Sequence, residues 1–133
     1  MAATIASSGS ARMRDLLTRS KTIAIVGASE KPGRDSNHVM AYLLAQNYRV
    51  IPISPSAPGG VILGQRCFAS LKDVPASETI DIVDVFRKAD ALPGVWAEIR
   101  AHAPKAQGVW LQKGLTFEQG ARSVRACCIF AWG

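Results

Sequence analysis

Apolar positions along the chain follow two periods that alternate. Thr22–Ala28 reads TIAIVGA, a β-branched run without polar interruption, the pattern of a strand buried on both faces. SNHVMAYLLAQN follows, with Val39, Met40, Leu43 and Leu44 at helical spacing. Asp35 or Ser36 is placed to cap that helix, and Asn47 to take a left-handed stop. Arg49–Ile53 predicts a second strand, with Pro52 ending its ladder because proline carries no amide hydrogen. PSAPGGVILGQRCFAS reads as a loop with a short strand near Arg66–Phe68, and SLKDVP as one helical turn capped by Ser70 and stopped at Pro75. Ile80–Phe86 is a third strong strand, with Asp81 at its start and Asp84 on the sheet surface. ADALPGVWAEIRAHA puts Leu92, Val95, Trp96 and Ile99 on one helical face, and its start near Asp90 places Pro93 in the first turn. Ala106–Leu111 predicts another strand. TFEQGARSVRA predicts a helix opening at Thr116 with Gln119 at capping-box spacing, weakened by about 1 kcal/mol at Gly120. CCIFAW predicts a last strand.

Strand and helix therefore alternate. Right-handed crossover helices return the chain in the same direction, so the expected class is α/β with a mostly parallel sheet of about five strands. Ligands in such sheets lie beyond the carboxyl ends of the strands, where strand order reverses.

The 133 residues suit one domain, expected over residues 16–133 behind a flexible stretch of 1–15. MAATIASSGSARMRDLLTRS, with three Arg and one acid, loosely resembles an organellar transit peptide; the reading kept is a frayed end leading into a short helix around Ala11–Arg19. No apolar run approaches the roughly 18 residues of a membrane span. The formal charge of +6 favours a polyanionic partner without saying which. Trp96, Trp110 and Trp132 do not interleave with a basic stripe, which sets nucleic acid aside and assigns them to packing. Cys67, Cys127 and Cys128 form no CxxC pair, so no metal site or disulfide framework is suggested, and a reducing cytoplasm is the expected setting.

The junction after the first strand concentrates the chemistry. Gly27, Ser29, Lys31, Gly33, Arg34 and Ser36 lie between a buried strand and a helix start. Unpaired amides, the helix dipole, hydroxyls and two cations together favour an anion, most often a phosphate. The loop is not a P-loop, because Gly33-Arg34-Asp35-Ser36 lacks Gly-Lys-Ser/Thr. It is not the dinucleotide fingerprint either: Gly27-Ala28-Ser29 keeps only the first glycine, and Ser54-Pro55-Ser56 supplies no acid for ribose hydroxyls.

Four stretches in order resemble a known family: TIAIVGASEKPGRDSNHVMAYLLAQNYRVIPISP, LGQRCFASLKDVP, IDIVDVFRKADALPGV and GVWLQKGL. They are similar to the small stand-alone CoA-binding proteins, related to the CoA-binding domain of the succinyl-CoA synthetase α subunit. The resemblance covers roughly Leu16 to Thr116. It implies a Rossmann-like three-layer α/β/α sandwich that binds coenzyme A or acyl-CoA along the carboxyl edge of its sheet. It implies that Gly27, Ala28, Ser29, Glu30 and Lys31 meet the phosphates, joined by Gly33, Arg34 and Ser36 from the loop chemistry above. Ser54, Pro55 and Ser56 fall near the adenosine, with Ser54 where the family usually has Asn. Val85, Phe86 and Arg87 are implied to line the nucleotide or pantetheine path, and Gln112, Lys113 and Gly114 end the next strand at the same edge. After Glu118 the chain leaves the family's pattern, which implies a shortened or atypical C-terminal part.

Catalytic parts are sparse. His38, in the first helical turn, reads as a surface residue and His102 as a helix-end residue. Asp81, Asp84 and Glu98 form no acid–base pair with a nucleophile. Cys67 reads as a small loop thiol whose pKa Arg66 would lower. The expected function is coenzyme binding without chemistry of its own. The alternatives are an NAD(P)-dependent oxidoreductase, or a docking subunit of a nucleotide-dependent acyl-CoA ligase. An ATP-grasp subunit or a second copy of the chain would be the macromolecular partner.

Overall fold

The computed structural model describes residues 9–55, 59–111 and 128–131, with side chains described for 14–55 and 59–111. Its elements run α1 (Gly9–Arg19), β1 (Thr22–Val26), α2 (Asp35–Ala45), β2 (Arg49–Ile53), β3 (Val61–Ile62), β4 (Gln65–Arg66), β5 (Ile82–Val85), α3 (Leu92–His102), β6 (Gly108–Leu111) and β7 (Cys128–Ala131). Short 3-10 turns cover Leu71–Asp73 and Ala89–Ala91.

Five strands form one sheet in the order β2-β1-β5-β6-β7, and every neighbouring pair is parallel. The fold is a Rossmann-like α/β sandwich, as the alternating pattern implies. The chain moves one way from β1 to β2 and the opposite way from β5 through β7. Right-handed crossovers then force α2 and α3 onto opposite faces. The core divides accordingly. Ala24, Val26, Val83, Val85, Val109 and Leu111 pack beneath α3, against Leu92, Val95, Trp96 and Ile99. Ile23, Ile25, Val50, Ile82 and Trp110 pack beneath α1 and α2, against Leu16, Met40 and Leu43. Alternate residues of each strand thus serve opposite layers, which is why β1, β5 and β6 are buried at every position.

Several elements differ from the sequence expectation in instructive ways. Pro52 does not end β2; it pairs with Ile25 inside the ladder. The Pro52 carbonyl accepts the Phe68 amide on the outer edge, so the absent proline N–H also faces outward and no bond to β1 is lost. The stretch read as loop carries a β3–β4 hairpin, and Phe68 then bridges Ile53 in parallel. Neither Asp35 nor Ser36 caps α2: Arg34 occupies the N-cap position without a side-chain bond. Asp84 lies not on the surface but fully buried, registered with Ile25 and Trp110. Asn47 takes the expected left-handed conformation at φ 70°, and Ser70 accepts the Lys72 amide as the expected cap of its turn. The helix expected over TFEQGARSVRA, with Gly120, and the residues Cys127 and Trp132 lie outside the described residues.

Candidate functional site

Strand order reverses between β1 and β5, so the carboxyl ends of these two strands flank the crevice. Gly27 leaves β1 there with φ +90°, and a Cβ on it would stand 2.6 Å from the Phe86 carbonyl oxygen. Glycine is required twice over, by the left-handed backbone and by the closeness of the neighbouring strand exit. The Phe86 amide donates to the Val26 carbonyl at 2.7 Å, which locks the two exits together.

The amides of Gly27 and Ala28 both donate to the Ile53 carbonyl, at 2.9 and 3.1 Å. They are committed to the turn, and the Ala28 side chain is buried with the α2-side core. These two residues shape the loop rather than present donors. Beyond them the situation changes. The amides of Ser29, Glu30, Gly33, Asp35 and Ser36 donate to no acceptor among the described residues. They cluster at the N-terminus of α2, where the helix dipole is positive.

The loop between is held in shape from within. The Ser29 hydroxyl accepts the Lys31 amide at 3.1 Å, and the Arg34 amide donates to the Lys31 carbonyl at 3.1 Å. The buried Asn37 side chain donates to the Ser29 carbonyl at 2.9 Å. Asn37 is the residue that sequence reasoning missed. Its signal was an amide side chain in the first turn of a helix, one position after Ser36, able to reach back over the loop. Lys31, Arg34 and Arg87 are exposed, as is the Glu30 carboxylate.

The other expected positions separate. Ser54 is buried beside the crevice, its amide donating to the Phe68 carbonyl at 2.8 Å, and Pro55 is exposed next to it. Phe86 is half-buried at the switch point and Arg87 follows it into solvent. Val85 is fully buried in the layer under α3. Ser56, Gln112, Lys113 and Gly114 lie outside the described residues. Cys67 is a correction. It is buried, its thiol donates to the Ser54 carbonyl at 3.8 Å, and burial pushes its pKa up rather than down. Glu98 is structural: its carboxylate accepts the Ser70 hydroxyl and the Leu71 amide at 2.8 and 2.5 Å, tying α3 to the 3-10 turn. Among the described residues no three His, Cys, Asp or Glu side chains group as a metal site, and no helix is long and apolar enough to cross a membrane.

A parallel sheet with an open-amide loop at its switch point is a Rossmann-like fold whose loop is suited to an anion. The particular family follows from comparison with known proteins. Residues 21–129 match the model of the CoA binding domain, and the chain belongs to that family. It is 36% identical over 116 residues to YneT, an uncharacterized protein of Bacillus subtilis, covering 86% of this chain and 81% of that protein. A hypothetical protein from Pyrococcus horikoshii has a similar structure, with TM-score 0.79 and 34% identity, over 91% of this chain and 82% of its own. A Thermus thermophilus protein gives TM-score 0.82 and 34% identity, over 91% and 89%.

Proposed function

We propose that this protein binds coenzyme A or its thioesters, with the phosphates seated on the loop from Ser29 to Ser36. The observation that carries the reading is the group of five open amides at the start of α2, in a chain of the CoA-binding domain family. Coenzyme A brings a pyrophosphate and a 3′-phosphate. A charge-assisted hydrogen bond contributes roughly 1.5–3 kcal/mol, whereas micromolar affinity needs about 8 kcal/mol net of association costs. Three or more direct contacts are therefore required, and the loop offers five amides before its cations are counted. Lys31, Arg34 and Arg87 add long-range attraction and ion pairs to the phosphates. Gly27 and Ala28 keep the cradle open by anchoring it to Ile53. Ser54 and Pro55 flank the adenosine end, and Phe86 flanks the pantetheine exit.

The reading is of a binding protein. Calorimetry with coenzyme A, dephospho-coenzyme A and NAD tests it. Coenzyme A should bind in the micromolar range, dephospho-coenzyme A more weakly, and NAD least. The double variant Lys31→Ala/Arg34→Ala should lose at least tenfold in affinity and flatten its salt dependence. Equal binding of NAD and coenzyme A, or full affinity in the double variant, would overturn the assignment.

A further inference from the structure

On the sheet face covered by α1 and α2, a groove of about 520 Å3 lies open, within the roughly 300–1,000 Å3 of small-molecule sites. Leu17 of α1, Val39, Tyr42 and Leu43 of α2 and Trp110 of β6 line it, with His38 at the end nearer the loop. Among the described residues none that lines it is an Asp, Glu, Lys or Arg, so it suits methylene groups and not a further phosphate. Two observations connect it to the crevice. The loop amides and the groove share one helix: Ser36 to Tyr42 is six residues, or about 9 Å of α2, within reach of a flexible arm leaving a pyrophosphate. Phe86 stands at the switch point beside Gly27 and packs, as Leu17 and Val39 do, against the buried apolar cluster that includes Trp110. The groove and the switch point thus adjoin one apolar cluster. A free thiol has no use for that surface; an alkyl chain does.

We infer that the groove seats the acyl chain of a coenzyme A thioester, and that the preferred ligand is a medium-chain acyl-CoA rather than free coenzyme A. This rests on the coenzyme reading above. The test is calorimetry with coenzyme A and with its acetyl, butanoyl, hexanoyl and octanoyl thioesters, on the unaltered chain and on Tyr42→Glu. Affinity should rise about fourfold for each methylene buried, until the chain outgrows the groove. Tyr42 is 64% exposed, so Tyr42→Glu folds normally; it should abolish the rise with chain length and keep the affinity for free coenzyme A. A flat series with coenzyme A still bound overturns the acyl seat alone. Failure of every ligand, free coenzyme A included, overturns the coenzyme reading as well. A dimer in sedimentation velocity that Tyr42→Glu dissociates and octanoyl-CoA leaves intact would assign the groove to a second copy and overturn the inference.

Discussion

At the amino ends of the strands, polar groups close on one another. The Asp81 carboxylate accepts the Lys21 and Thr22 amides at 2.9 and 3.1 Å, while the Asp81 amide donates to the Thr22 carbonyl. Arg49 bridges to Glu78 at 2.7 Å and to Gln65 at 3.0 Å, and Arg19 reaches Asp15 and Gln107. At the carboxyl ends, five amides of the loop and helix start and three exposed cations have no such partners among the described residues. The same sheet thus has one end braced by side-chain bonds to the backbone and one end that carries a loop of amides and cations suited to an anion. Donors left open at a helix start are what an anion site requires. Variants at the two ends should separate stability from binding.

The largest effect is expected at Gly27. Alanine there must hold φ near +90° and clear a carbonyl oxygen 2.6 Å from its Cβ. Left-handed strain and forced displacement together cost about 2–5 kcal/mol. Gly27→Ala should lower both the denaturation midpoint and coenzyme affinity, because one turn supports both. Retained stability in Gly27→Ala would mean the β5 exit can yield.

Asp81→Ala comes next and belongs to the other end. It strips the acceptor from two amides at the start of β1, one of them on the buried Thr22. The expected loss is about 1–3 kcal/mol in chemical denaturation, with coenzyme affinity in calorimetry unchanged. A fall in affinity at temperatures where the variant is fully folded would erase the distinction between the ends.

Asn37→Ala is the converse. It removes the bond to the Ser29 carbonyl and frees the loop, at a stability loss of about 1 kcal/mol. Affinity should fall about three- to tenfold, because a loosened cradle must be ordered on binding. Measured by calorimetry beside denaturation, affinity unchanged in a folded Asn37→Ala would show that the loop holds its shape without this bond.

Much of the molecule was legible from one dimension. Strands buried on both faces read as unbroken apolar runs, and Arg49–Ile53 was readable to the residue. The two helical periods and the parallel sheet followed from alternation, and the layers on both faces from the family resemblance. The loop's position at the switch point followed from the same pattern. What escaped was set by register. Asp84 is a polar letter in an apolar word, and only the pairing of β5 between Ile25 and Trp110 buries it. The Gly27 and Ala28 amides look available in sequence, and only the arrival of β2 alongside β1 commits them to Ile53. Asn37 acts through a backbone carbonyl, which leaves no pattern in side-chain types.

Cys67 is the finest test, because it sits where the β4 hairpin strand folds back on β2, beside the crevice yet inside the core. A loop thiol next to Arg66 would ionise easily. The buried thiol does not: desolvation raises its pKa above the ordinary 9.0, and the bond with the Ser54 backbone opposes this only in part. The sign follows from proton counts. Between the unfolded and native pKa the native state holds the proton and the unfolded state releases it, so stability falls as pH rises. The contribution is whole below about pH 9 and is lost as pH climbs through the native value. Denaturation curves of the unaltered chain and Cys67→Ala should therefore differ by a constant at neutral pH and converge in alkali. The thiol should also resist alkylation until the protein unfolds. Rapid labelling of native Cys67, or parallel curves to high pH, would place this residue with the open end of the sheet instead of the closed core beside it.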